Sequence, residues 1–135
     1  MKASTEIIVR WSDCDPMGYV NNAVYITYME QARIEFFRKF FGLKAGKRIT
    51  PDHSRFIIAE NSCRYLNPVY VDQTVTVEIN VTEVKNSSFV FGYEMKDKRT
   101  GDAVASGRSV QVWFDYKTEK SIPIPEEYRK KLSEE

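Results

Sequence analysis

The chain is short of the residues on which several classes of function depend. Among 135 residues there are two cysteines, Cys14 and Cys63, and one histidine, His53. Neither cysteine lies in a CxxC pair or a Cys/His spacing that holds zinc, and His53 cannot complete a ligand set with them, so no metal site is expected. Net charge is missing too. Lys and Arg number 20 against 19 Asp and Glu, a balance of +1, which argues against dependence on a nucleic-acid backbone or an anionic membrane face. No apolar run approaches the ~20 residues that span a bilayer, and Met1 to Thr5 lacks the apolar core of a signal peptide. The expectation is a cytoplasmic protein with reduced thiols, no nucleic-acid partner and no membrane partner.

What is present suits one domain over residues 1–135, with 42% hydrophobic residues and enough length for a core without disulfide or metal staples. Glu6 to Trp11 reads as a short strand feeding a loop rich in Asp, Pro and Gly. From Ala23 to Phe41 the apolar residues Tyr25, Met29, Ala32, Phe36 and Phe40 recur at steps of three or four, the helical period. Asn21 and Asn22 stand where an N-cap belongs and Gly42 where a helix stops. Tyr28, Ile34, Phe37 and Phe41 widen the apolar surface, so the helix is expected to be covered on most sides by sheet or by a partner subunit.

Leu43 to Ser54 is basic and aperiodic, a connecting loop with a possible lid role. Everything beyond it reads as β. Phe56 to Tyr65 is followed by a strand from Gln73 to Val84, in which Val75, Val77, Ile79 and Val81 share one face. Hairpin turns then lead into Phe89 to Lys96 and Val104 to Phe114, and a short helix is possible in the tail from Ile122. The only long element available to receive the apolar face of such a sheet is the Ala23 to Phe41 helix. The fold class is therefore α+β, an antiparallel sheet curled around one long central helix.

The densest set of reactive groups runs from Asp13 to Tyr25, at the strand-to-helix junction. A helix start offers unpaired backbone N–H groups and a positive dipole end, which stabilise a carbonyl oxygen gaining negative charge. A carboxylate beside it can attack an activated carbonyl or take a proton from water. The same residue types also serve any tight loop before a helix, so both readings stand at this point.

The run WSDCDPMGYVNNAVYITYMEQAR, residues 11–33, resembles the N-terminal signature of the 4-hydroxybenzoyl-CoA thioesterase family, with its Asp-x-Asp-x-x-Gly-x-Val loop before the central helix. CRYLNPVYVDQTVTV, residues 63–77, is similar to that family's Tyr-Leu-x-Pro segment. The resemblance implies a hotdog fold, acyl-CoA thioesterase activity, and dimers or tetramers with sites at subunit interfaces. No separate cofactor is implied, because coenzyme A is part of the substrate.

By the same resemblance Asp15 is the catalytic carboxylate, nucleophile or general base, and Asp13 supports it. The amide that polarises the carbonyl falls at Asn22, seven residues beyond Asp15. Gly18, Tyr19, Tyr25 and Glu60 are the substrate-binding candidates, although Gly18 also reads as a turn position, Tyr25 as core and Glu60 as the solvent face of a strand. Lys85, Ser87 and Ser88, in a hairpin turn, and Arg64 are candidates for the coenzyme A phosphates. Many relatives carry His where this chain has Tyr19, so a mechanism needing an imidazole in the loop has none to use. Cys14 lies between two carboxylates, which disfavour its thiolate, and reads as packing. Two alternatives remain open: an acyl-carrier-protein thioesterase, with Lys44, Lys47 and Arg48 as a basic rim, and a non-catalytic acyl-CoA binding module.

Overall fold

The computed structural model describes residues 1–42 and 54–134. The elements are β1 (Lys2–Ile8), α1 (Val24–Phe41), β2 (Ser54–Tyr65), β3 (Thr74–Val84), β4 (Ser88–Asp97), β5 (Ala103–Asp115), β6 (Lys120–Ser121) and α2 (Glu126–Leu132). One antiparallel sheet has the order β1-β3-β4-β5-β2, with the two-residue β6 pairing β5. The basic loop expected at Leu43 to Ser54, with Lys44, Lys47, Arg48 and His53, lies outside the described residues except for Ser54, which begins β2.

The alternation read in the sequence places the core. Val75, Val77 and Ile79 of β3 and Phe89, Phe91, Tyr93 and Met95 of β4 are buried on the face that meets α1. From the helix, Tyr25, Tyr28, Met29, Ala32, Phe36 and Phe37 are buried against them. Phe36 packs edge-on against Phe91 at 4.8 Å between centroids, and Phe37 stacks on Phe56 at 4.9 Å. Burying a Phe fully stabilises by about 1.5–3 kcal/mol. The helix crosses the sheet closely at Gly107, where a Cβ would stand 2.9 Å from Met29 Sδ. The tail helix α2 closes one end: Tyr128 stacks on both Trp113 and Phe41, and Leu132 is buried.

Three local expectations change. The first strand begins four residues earlier than Glu6 and ends at Ile8, because its pairing with β3 runs from Lys2↔Asn80 to Ile8↔Thr74. Trp11 is not in a strand; it opens a single 3-10 turn and is 81% exposed. Asn21, not Asn22, serves the helix start: its Oδ1 accepts the Ala23 N–H and its carbonyl the Val24 N–H, each at 2.9 Å. Within one chain the sheet leaves a flank of α1 exposed, at Glu30, Gln31, Ile34, Arg38 and Lys39. Gly42 does stop the helix as read, at φ +67° with its N–H on the Phe37 carbonyl.

One buried feature has no counterpart in the hydrophobic pattern. Arg33 points into the core, where its Nη1 donates to Tyr93 Oη at 3.0 Å. Tyr93 Oη lies 2.7 Å from Ser109 Oγ, which also accepts from Gln111 Nε2 at 2.6 Å. Among the described residues, no carboxylate pairs with Arg33 and nothing donates to Gln111 Oε1.

Candidate active site

The loop between β1 and α1 is a small hairpin pinned from three sides. It leaves the sheet where the Val9 N–H reaches the Gln73 carbonyl and the Asp72 N–H reaches the Val9 carbonyl. Cys14 and Val20 form an isolated bridge, as do Tyr19 and Tyr70. The Val20 N–H donates to the Val69 carbonyl at 2.8 Å, and the Tyr19 and Tyr70 rings meet at 5.1 Å. At its tip the Gly18 N–H donates to the Asp15 carbonyl at 2.9 Å. Gly18 has φ +90° with open space around a Cβ, so it is required by the backbone rather than by contact.

Asp13 is the anchor of this loop. Its buried carboxylate accepts from the Arg10 N–H at 3.0 Å, from Arg10 Nη2 at 2.8 Å and Nε at 3.2 Å, and from the Tyr28 hydroxyl at 2.9 Å. Burial pushes this carboxyl up, but the Arg10 and Tyr28 hydrogen bonds outweigh it and hold it below the usual carboxylate range. The Asp13 carbonyl takes the Asn21 N–H at 2.8 Å, which sets the approach to the helix. Both carboxylate oxygens of Asp13 are thus committed to holding the loop.

Asp15 is placed differently. It is half-buried, and only its Oδ1 is engaged, by the Met17 N–H at 2.9 Å. Its Oδ2 makes no hydrogen bond among the described residues. It lines a cleft of about 430 Å³ together with Tyr19, Val20, Asn22, Tyr25, Tyr65, Leu66, Asn67 and Pro68. Asn22 faces the same cleft, and its backbone N–H has no acceptor among the described residues. The Asn22 carbonyl accepts from the Tyr65 hydroxyl at 3.0 Å. Burial, then the nearby Cys63, Tyr65 and Cys14, pushes the Tyr25 phenol up to about 12, so it stays a neutral donor. A free carboxylate oxygen and a free helix-start N–H on one cleft can hold a carbonyl from two sides: a nucleophile or base on the carbon and a donor on the oxygen.

The structure brings Asp15, Asn22, Tyr19 and Tyr25 together and sets Asp13 and Gly18 behind them. Glu60 and Arg64 lie elsewhere. Counting by twos from Phe56 and Ile58 would put Glu60 on the inner face, but the register shifts between Ile58 and Glu60, and the extra residue turns Glu60 outward. There its Oε1 accepts from Arg108 Nη1 at 3.2 Å. Arg64, paired with Ser106, shares that outer face. Lys85, Ser87 and Ser88 stand at the far end of β3, roughly 33 Å along the strand from its start beside the cleft at ~3.3 Å per residue. Lys85 there approaches Glu83 at 3.6 Å. One chain therefore does not place these cations beside Asp15. The same shift at Ala59 turns Cys63 and Tyr65 inward, and Tyr65 is a cleft residue that the sequence reading gave no role; its signal was its place as the tyrosine of the Tyr-Leu-x-Pro segment.

A larger hollow of about 730 Å³ lies between Tyr70 and Arg99; of its two acids Asp97 is engaged, accepting from Gln73 Nε2 at 2.9 Å and from the Arg99 N–H at 2.9 Å. Among the described residues, no three His, Cys, Asp or Glu side chains group as metal ligands, and no helix is long and apolar enough to cross a membrane.

Residues 9–132 match the family model described as the Thioesterase-like superfamily. The long-chain acyl-CoA thioesterase FadM of Escherichia coli (strain K12) is 25% identical over 133 residues, covering 96% of this chain and 96% of that one. Among solved structures, a predicted thioesterase from Bacillus stearothermophilus superposes with a TM-score of 0.83 at 31% identity, over 98% of this chain and 94% of that one. A thioesterase from Thermus thermophilus complexed with coenzyme A and Zn gives a TM-score of 0.80 at 29% identity, over 97% of each chain. The sheet with α1 packed against it is a hotdog-like thioesterase fold, and the chain belongs to the Thioesterase-like superfamily.

Proposed function

We propose that this protein is an acyl-CoA thioesterase, hydrolysing the thioester to a free carboxylic acid and coenzyme A. The observation that carries the reading is the pairing, on one cleft, of the free Oδ2 edge of Asp15 with the unaccepted N–H of Asn22. The thioester carbonyl oxygen accepts from the Asn22 N–H, and the helix dipole favours the charge that develops on it. Asp15 Oδ2 then attacks the carbonyl carbon, the C–S bond breaks, and the thiolate leaves; water hydrolyses the resulting anhydride and restores the carboxylate. In the other route Oδ2 takes a proton from the attacking water and no anhydride forms. The Met17 N–H on Oδ1 holds the carboxylate oriented in both.

Support for a second copy comes from β2. It is an edge strand 12 residues long beside the cleft, with Ile57, Ile58, Tyr65 and Leu66 exposed, and such an edge invites pairing. In a homodimer or tetramer, cations far from Asp15 within one chain, such as Lys85 with Ser87 and Ser88, become available to the coenzyme A phosphates of another chain's site. The acyl-carrier-protein alternative depends on Lys44, Lys47 and Arg48, outside the described residues, and gains nothing from the cleft. A cytoplasmic setting supplies acyl-CoA and keeps Cys14 and Cys63 as thiols.

The test is thiol release from short, long and aromatic acyl-CoAs, run beside Asp15→Asn. The expected loss is at least about a hundredfold in kcat with an unchanged melting temperature. Turnover that survives the substitution, or no turnover with any acyl-CoA, refutes the reading; binding without turnover, indifferent to Asp15→Asn, would identify a binding module. A single turnover in labelled water separates the routes, since only the anhydride route can leave label in the Asp15 carboxylate.

A further inference from the structure

Tyr65, the last residue of β2, reaches across the cleft to the start of α1. Its Oη donates to the Asn22 carbonyl at 3.0 Å, a bond spanning 43 residues of sequence, and its ring meets Tyr25 edge-on at 5.0 Å. The ring contact explains an aromatic residue but not the hydroxyl, which a half-exposed phenylalanine would do without. The Asn22 carbonyl and the Asn22 N–H are separated by only two rotatable bonds, so fixing the first constrains the second. Local bonds act on both peptide groups at Asn22: the Asn21 carbonyl, in one plane with the Asn22 N–H, accepts from the Val24 N–H, and the Ala23 N–H, in one plane with the Asn22 carbonyl, donates to Asn21 Oδ1. These bonds lie within the turn itself, and the Tyr65 bond is the one that ties Asn22 to β2 on the other side of the cleft.

We propose that Tyr65 is a positioning residue for the thioester carbonyl: its hydroxyl ties the Asn22 turn to β2, so that the Asn22 N–H keeps its place on the cleft that Asp15 also lines. The proposal rests on the reading of that N–H as the donor to the carbonyl oxygen. It predicts that the hydroxyl matters to kcat and not to substrate binding, because a misdirected donor weakens the transition state more than the ground state. Burial and the adjacent Cys63 thiol push the Tyr65 phenol up, so it remains a donor through neutral pH.

The competing role for a hydroxyl here is proton donation to the leaving thiolate, and leaving-group acidity separates the two. Tyr65→Phe and a chain with 3-fluorotyrosine at position 65 are compared with the parent on a coenzyme A ester and on a thiophenol ester of the same acid. Nitrogen-15 relaxation of the Asn22 amide is measured in the ligand-free proteins. The expected result for Tyr65→Phe is a fall of about tenfold in kcat on both esters, equivalent to about 1.4 kcal/mol, with KM within about twofold. The Asn22 amide gains fast motion, and fluorotyrosine, which still donates, restores both readouts. A loss confined to the coenzyme A ester marks a proton donor and overturns the proposal. So does a raised KM at constant kcat, an Asn22 amide as rigid as in the parent, or a variant that does not fold. If the parent hydrolyses no acyl-CoA, the thioesterase reading fails separately, and the amide motion still decides for or against Tyr65.

Discussion

The Tyr28 hydroxyl donates to the Asp13 carboxylate at 2.9 Å, and through this bond the first two turns of α1 hold the loop that carries Asp15. Burial, then the hydrogen bond to Asp13, pushes the Tyr28 phenol well above its ordinary range, so it is a donor at every pH the protein meets. Tyr28→Phe leaves a buried carboxylate one donor short and is expected to cost about 1–3 kcal/mol in denaturant unfolding.

The same carboxylate sets an acid limit. Because the Asp13 carboxyl lies lower in the folded chain than in the unfolded one, its contribution is complete above the ordinary carboxylate value and is lost as pH falls through the lowered folded value. Melting temperature should therefore drop below about pH 4. In Tyr28→Phe the loss should start at the same pH but be smaller and level off at higher pH, because only the folded value rises, and in Asp13→Asn the fall should be shallower; curves that superpose on the parent would refute this account.

The buried Arg33 cluster yields an asymmetric pair. Tyr93→Phe removes the partner of a buried cation while leaving the cation in place, and should cost about 3 kcal/mol. Arg33→Met removes the cation itself and leaves Tyr93 bonded to Ser109, so it should lie within about 1 kcal/mol of the parent. Equal costs in chemical denaturation would contradict the ordering.

Where α1 crosses the sheet, Gly107→Ala pushes a methyl to 2.9 Å from Met29 Sδ and 3.3 Å from the Ser62 carbonyl. The expected cost is about 1–3 kcal/mol. In the double variant with Met29→Ala the two costs should fall short of their sum by about 1 kcal/mol, since the second change removes the atom that the first one strikes.

Gly18→Ala meets no steric obstacle but keeps an L side chain at φ +90°. A stability loss of about 1–2 kcal/mol is expected, together with a fall in kcat larger than any change in KM, because the strain is relieved by moving Asp15 through the Gly18 N–H bond to its carbonyl.

Much of this arrangement was legible in the sequence. The helix from Val24, its stop at Gly42 and the alternating strands β3 to β5 follow from periodicity, which reports directly which face each side chain takes. The Asp15 and Asn22 pair followed from a loop at a helix start and from family resemblance. Glu60 did not, because one extra residue at Ala59 reverses the face of everything beyond it and leaves no mark in composition. Lys85 was grouped with the coenzyme A phosphates by resemblance and Arg64 by its charge, and neither ground carries a distance. Tyr65 stood in the Tyr-Leu-x-Pro segment, but its partner did not show there, and Arg33 left little signal at all, for a related reason: each bonds to a distant segment, 43 residues away for Tyr65 to Asn22 and 60 for Arg33 to Tyr93.

Those long spans have a consequence for how the site comes into being. The loop that presents Asp15 is contiguous and anchored locally through Arg10 and Tyr28, yet its ties to the rest of the cleft come from Gln73, Val69 and Tyr65, which the chain delivers only after β2 and the start of β3 have docked. A chain cut after Gly42 would hold Asp13, Asp15 and Asn22 and still present no cleft. Closing loops of this length is slow relative to forming a helix, so during refolding α1 should gain its helicity before hydrolytic competence returns, and the interval between the two measures the docking of β2.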